Sequence, residues 1–176
     1  QKTSAKHFDG ESFPEGQARL LELLRDIQNA LNRDNAEGAR EALGQALHTI
    51  QDFYSHSNWI ELGNTSPNPI LGRPQGTINR LPVDVATCKA CIPCLTCGDN
   101  LIINQLTSGY YGGEDRVKPN NNKCSHGGLL DSSTGGITGG INKDSSDCTV
   151  SPHANLHNLA ARGAKEATKQ FIRDIK

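Results

Sequence analysis

His48, Asp52 and His56 follow one another at intervals of four residues within the stretch Glu41–Trp59. In an α-helix such residues share one face, so two imidazoles and a carboxylate would form a single stripe. That mixture of donors suits zinc. At roughly 1.5 Å of rise per residue, His48 and His56 start about 12 Å apart along the axis. One ion can then take His48 and Asp52, and His56 more naturally serves a second. The plain alternative is a polar helix face whose histidines happen to recur every four residues.

Two other places carry similar chemistry. His153 and His157 are again four apart, a spacing that zinc-binding helices use as a chelating pair. Near the amino-terminal end, His7-Phe8-Asp9 is the one group able to coordinate anything. His7, His48 and Asp52 could hold one ion, and His56, His153 and His157 a second. Each set leaves an open position, as catalytic zinc sites do. His126, in the tight turn Lys123-Cys124-Ser125-His126-Gly127-Gly128, reads as a hydrogen-bonding loop residue instead of a ligand.

These residues need helices to position them. Leu20, Leu24, Ile27 and Leu31 recur at helical spacing, which predicts an amphipathic helix over about 16–32. Asn32-Arg33-Asp34-Asn35 is a turn, and Asp34 or Asn35 can cap the next helix, about 36–58. A link that short makes the two antiparallel neighbours. On the second helix, Leu43, Leu47, Ile50 and Tyr54 form an apolar stripe roughly opposite the histidines. Ser151-Pro152 reads as a cap followed by a first-turn proline, opening a last helix over about 151–175. Residues 1–15 read as extended, and Asp99–Leu106 as a short helix.

Between the second and last helices the composition changes. Thirteen of the eighteen glycines lie in residues 63–150, a stretch without sustained period. All six cysteines lie from the midpoint of the chain onward: Cys88, Cys91, Cys94, Cys97, Cys124 and Cys148. The run Cys88–Cys97 differs from the bacterial iron–sulfur run, whose last gap is three residues with Pro after it. It also lacks the separation of about 15–20 residues between zinc-ribbon knuckles. Disulfides are the reading carried forward, with a thiolate metal site and a redox dithiol as alternatives. Cross-links would replace part of the missing core and place the chain in an oxidising, extracellular compartment. Cys124 and Cys148 are expected to pair back to the run, although six cysteines allow 15 connectivities. Asn64-Thr65-Ser66 is a glycosylation sequon.

The 176 residues suffice for one domain, 1–176, with its own core. A net charge of -1 leaves no footprint for nucleic acid. No apolar run is long enough to span a bilayer. No signal peptide or initiating Met begins the sequence, and Gln1 reads as a processed or cut end.

The motifs Leu47–Trp59, Lys123–Gly128, Gly140-Ile141-Asn142-Lys143-Asp144 and Ser151-Pro152-His153 resemble the Het-C-like domain. That domain occurs in a fungal incompatibility protein and at the amino-terminal end of animal von Willebrand factor A domain-containing proteins. More distantly, His48-x-x-x-Asp52-x-x-x-His56 is similar to the zinc-dependent phospholipases C and single-strand-specific zinc nucleases. The resemblance implies a mainly α fold, a helical bundle of phospholipase C type with a long disulfide-rich, loop-dominated insertion. It also implies one or two zinc ions, on His7, His48 and Asp52 and on His56 with His153. The superfamily's amino-terminal Trp, the His after it and an Asp ahead of His7 are absent here, so a third zinc site would be incomplete. His157 stands where the enzymes carry an acidic residue.

Two functions follow as expectations. One is metal-assisted hydrolysis of a phosphoester, with a lipid or small phosphoester as substrate. The other is a non-catalytic secreted module in which zinc and disulfides only stabilise the fold. Von Willebrand factor A-type domains of the same precursor are the partners the resemblance suggests.

Overall fold

The computed structural model describes residues 3–175; Gln1, read above as a cut end, lies outside them. Three α-helices form where the apolar periods predict them: α1 Phe13–Leu31, α2 Ala36–His56 and α3 His157–Asp174. The first starts three residues earlier than expected, because Pro14 fits its first turn, where a missing N–H is no loss. Asn35 caps α2, its Oδ1 accepting from the Gly38 N–H at 3.0 Å. Asp34, in the left-handed region at φ 54°, completes the reversal. At its other end α2 stops at His56, short of residue 58. Ser57 becomes extended and pairs with Ser108 in an antiparallel bridge.

The last helix departs furthest from expectation. Ser151 and Pro152 do not open it; a 3-10 turn at Ala154–Leu156 intervenes and α3 begins only at His157. The Ser151 hydroxyl instead donates to Asn142 Oδ1 at 2.5 Å. His153 has non-helical torsions (φ -103°, ψ 36°), and its N–H goes to the Asn142 carbonyl at 3.1 Å. His153 and His157 therefore do not share a helix face.

Helix α2 lies between the other two. Arg19 on α1 reaches Gln45 at 2.8 Å, and Tyr54 packs against Gly163 on α3. The core contains Phe8, Phe13, Leu20, Ile27, Ala46, Ile50, Phe53, Tyr54, Ala164 and Phe171. Leu43 and Leu47 sit at its edge, partly buried, so α2 is centred on its alanines and aromatic residues instead of the leucine stripe. Each fully buried large side chain of this kind contributes about 1.5–3 kcal/mol. The Tyr54 hydroxyl accepts from the Asn68 N–H at 3.0 Å, and burial pushes its pKa up to about 12.

Residues 3–12 are two 3-10 turns, Ser4–Lys6 and Asp9–Glu11, not an extended arm. Phe8 between them is left-handed (φ 57°) and fully buried, its ring lying on Gly16. A β-carbon at Gly16 would come within 2.4 Å of that ring.

The long connection from α2 to α3 is irregular but tied down. Its disulfides are Cys88–Cys124, Cys91–Cys97 and Cys94–Cys148, so Cys124 and Cys148 do pair back to the run. The short helix expected at 99–106 does not form; only Cys97–Asp99 is helical, and Leu101 pairs with Cys88. Isolated parallel bridges join Tyr110 to Ser125 and Ser125 to Gly140. Two fully buried lysines anchor this half: Lys123 Nζ donates to Glu11 Oε2 and Lys143 Nζ to Glu61 Oε1, each at 2.8 Å. Among the described residues, no helix is long and apolar enough to cross a membrane.

Candidate metal centre

Two clusters of ligand-type side chains meet on the polar side of α2. In the first, His48 and Asp52 stand one turn apart on α2, and the 3-10 turn before Phe8 brings His7 over them. His7 Nδ1 lies 2.8 Å from Asp52 Oδ2, and His48 Nε2 lies 3.2 Å from both atoms. Donors bound tetrahedrally to zinc at about 2.0–2.1 Å are spaced by roughly 3.3 Å. The trio is thus already arranged at nearly that spacing. The Asp52 hydrogen bond, outweighing burial, raises the His7 pKa.

The second cluster forms where α2 ends. His56 Nε2 is 3.1 Å from His126 Nε2, and Asp144 bridges the two rings at 3.2 and 3.3 Å. Ring protonation is fixed by the opposite nitrogens. His126 Nδ1 faces the Gly127 carbonyl at 2.7 Å and His56 Nδ1 faces the His7 carbonyl at 2.9 Å. A carbonyl only accepts, so each Nδ1 carries hydrogen and each neutral ring presents its Nε2 lone pair to the other. Such bonds at the opposite ring nitrogen are what orient histidine ligands toward a metal.

Asp9 stands on the far side of His56, its Oδ1 3.3 Å from His56 Nδ1. That oxygen is buried and has no hydrogen-bond partner among the described residues. Burial opposes charge on His56, yet the Asp9 and Asp144 carboxylates hold its pKa well above the usual value. For Asp144, partial burial is overcome by the His56 and His126 rings, and its pKa is strongly lowered.

The clusters are neighbours. The His7 and His56 rings lie 6.5 Å apart, centre to centre, and the His7 carbonyl is itself the His56 acceptor. Left-handed Phe8 sends His7 to one cluster and Asp9 to the other. Glu114 stands beside both, 4.0 Å from His7 Nε2, with one buried oxygen unpartnered. Burial and the nearby Asp9 carboxylate raise its pKa.

The second cluster is not the set His56, His153 and His157. His153 is fully buried, with Nδ1 2.6 Å from Glu61 Oε1 and Nε2 3.0 Å from Asn100 Oδ1, so neither nitrogen is open. His157 Nδ1 donates to the Lys143 carbonyl at 2.6 Å. His126 takes the place assigned to them, joined by Asp9 and Asp144.

Irregular backbone positions these newcomers. The bridged segments around Tyr110, Ser125 and Gly140 clamp His126: a β-carbon at Gly109 would lie 2.5 Å from its Cα, and one at Gly140 2.8 Å from its carbonyl oxygen. Asn142 then links His126 to Asp144. Its Nδ2 donates to the His126 carbonyl at 3.0 Å, and its Oδ1 accepts from the Asp144 N–H at 3.2 Å. The sequon residue Asn64 is half-buried, and its Nδ2 donates to the Trp59 carbonyl at 3.0 Å.

The family model of the VWA7 N-terminal domain matches residues 1–176. The chain belongs to that family. It is 45% identical over 167 residues to the human von Willebrand factor A domain-containing protein 7, a match covering 93% of this chain and 18% of the relative. The rat protein of the same name is 45% identical over 169 residues, covering 94% and 19% respectively. This chain thus spans less than a fifth of the length of the relatives it matches. No solved structure matches.

Proposed function

We propose that this VWA7 N-terminal domain is a secreted zinc-binding domain that hydrolyses a phosphoester at paired metal sites. One site is His7, His48 and Asp52; the other is His56, His126 and Asp144, with Asp9 behind. The observation that carries the reading is the approach of His56 Nε2 to within 3.1 Å of His126 Nε2. Each ring has its Nδ1 hydrogen committed to a carbonyl, so zinc would compete for the facing Nε2 atoms only with the proton that Asp9 and Asp144 favour on His56. Zinc in such a centre supplies Lewis acidity toward a phosphoryl group. The chain's own part is to hold the donors and keep their rings fixed through the His7 and Gly127 carbonyls. A lipid or small phosphoester is the substrate proposed, and three disulfides support the extracellular assignment. Glycan addition at Asn64 belongs to the same reading and requires its bond to Trp59 to open.

A second reading rests on burial. The His7 cluster reaches the surface through His48, as open catalytic sites do, but Asp9, His56 and His126 are all buried, as in closed structural sites. On that reading the second ion only pins the carboxy-terminal loops to α2.

Metal analysis of the purified chain, followed by hydrolysis of bis(4-nitrophenyl) phosphate with and without chelator, tests the proposal. Bound zinc with chelator-sensitive turnover supports catalysis. Bound zinc with no turnover supports the structural role. Less than one ion per chain overturns both.

A further inference from the structure

Next to the metal centre, the loops 111–118 and 131–134 enclose a cavity of about 140 Å³. By that measure one water needs only roughly 10–15 Å³. Tyr111, Glu114, Lys118, Ser132, Ser133 and Thr134 are among its lining residues. Two of them touch the clusters: the Tyr111 ring stands edge-on to His126 at 5.0 Å, and Glu114 approaches His7 at 4.0 Å. One side chain of the cavity wall thus borders each candidate metal site.

The charges around it are unequally engaged. Asp131, the carboxylate whose charge acts on Lys118, is saturated. Its Oδ1 accepts from the Gly112 and Ser133 N–H groups at 3.0 and 2.8 Å, and its Oδ2 from the Gly127 N–H and the Ser133 hydroxyl at 2.6 and 3.0 Å. This clasp fixes the walls, and Gly112 is needed in it, since a β-carbon there would lie 2.5 Å from the Ser133 nitrogen. Lys118 is half-buried, and among the described residues its ammonium makes no hydrogen bond or ion pair; nor does the Ser132 hydroxyl make a hydrogen bond. Partial burial lowers the Lys118 pKa, only in part offset by Asp131. A partly desolvated cation without a partner is unfavourable unless a ligand supplies one.

We infer that this cavity is a binding site for a phosphate-type oxyanion, received by the Lys118 ammonium and the Ser132 hydroxyl beside the metal centre. As the place for a second anionic group of a substrate, it rests on the phosphoester reading above; as an oxyanion site it does not. The same chemistry is offered by inorganic phosphate and by an esterified phosphate.

Calorimetric titration of inorganic phosphate into the metal-free, full chain tests it. One site is expected, weakened about tenfold or more in Lys118→Ala and largely kept in Lys118→Arg, as for loss of a charge-assisted hydrogen bond. Thermal unfolding of Lys118→Ala should match the parent, because Lys118 makes no bond in the fold. No binding to the metal-free chain, or equal affinity in Lys118→Ala, overturns the site. Repeating the titration with glycerol 1-phosphate separates the sources. Lys118-dependent binding of the ester supports the substrate role, and exclusion of the ester while phosphate binds overturns that role. Failure of the chain to take up zinc, with phosphate binding intact, refutes the metal reading and leaves the oxyanion site standing.

Discussion

His56 Nε2 and His126 Nε2 face each other at 3.1 Å across seventy residues of sequence, each ring having given its Nδ1 hydrogen to a backbone carbonyl. On the proposed reading, the pair separates ligand histidines from structural ones. Replacing His126 by Ala should reduce zinc from about two ions per chain to about one, read by elemental analysis. Replacing buried His153 by Ala should leave the zinc count unchanged. It should instead destabilise the fold by about 1–3 kcal/mol, because Glu61 and Asn100 each lose a partner. A His153→Ala protein short of zinc would return His153 to the ligand set.

Metal removal gives a second prediction. If zinc binds the native chain and is present at about 100 times its Kd, it adds about 2.7 kcal/mol of stability. Chelation should then lower Tm by roughly 5–10 °C for a chain of this size. Scanning calorimetry checks this, and a Tm indifferent to chelator would count against both sites.

Acid should unfold the domain partly through Glu61. Burial disfavours its charge, but the Lys143 ammonium and the His153 ring more than compensate and bring its pKa below the ordinary 4.5. A lowered folded pKa means stability that is fully present above the unfolded value and lost as pH falls through the folded one. The loss should therefore begin near pH 4.5 and continue below it. Glu61→Gln should flatten that part of the stability-versus-pH curve. Lys143→Met, which leaves the carboxylate buried without its ion partner, should cost about 3–5 kcal/mol at neutral pH. Urea unfolding at several pH values reads both effects.

The three helices and the His48–Asp52 pair are legible in the sequence because helical spacing ties side-chain direction to residue number. Disulfide pairing back to the Cys88–Cys97 run is legible from cysteine count and placement, though not its connectivity. His126 and Asp144 are not, and Asp9 only as part of the group His7-Phe8-Asp9, since each sits on irregular backbone where no period relates neighbours. His126 is brought under His56 by glycine-to-backbone contacts at Gly109 and Gly140, and those depend on tertiary packing. The His153–His157 spacing misleads for the complementary reason. It is helical in number, but Asn142 and Glu61 hold His153 outside the helix.

Two helix glycines should respond oppositely to alanine. At Gly163 a β-carbon would lie 2.9 Å from the Tyr54 ring, which is buried and held by Asn68, so Gly163→Ala should destabilise by about 1–3 kcal/mol. Gly44, in the exposed middle of α2, has nothing within 4 Å of that position. Gly44→Ala should therefore stabilise by up to about 1 kcal/mol through helix propensity. Thermal unfolding of the two variants measures the contrast, and a destabilised Gly44→Ala would mean that this face of α2 is covered in solution.

The disulfides should differ in weight and in accessibility. Cys94 is exposed and Cys148 half-buried, whereas the other four half-cystines are buried. Mild thiol reductant should therefore open Cys94–Cys148 first, which mass spectrometry after alkylation would show. Cys94 and Cys148 are separated by 54 residues, against 6 for Cys91 and Cys97. Loop-closure entropy then predicts a loss of about 4 kcal/mol for the Cys94→Ser, Cys148→Ser double variant and about 2 kcal/mol for Cys91→Ser, Cys97→Ser. Because Cys148 closes the loop that begins at Asp144, the first double variant should also weaken zinc retention, while zinc binding in the second stays nearer the parent's. Equal zinc affinity in both would mean that Asn142, through its bonds to His126 and Asp144, is sufficient to hold that ligand in place.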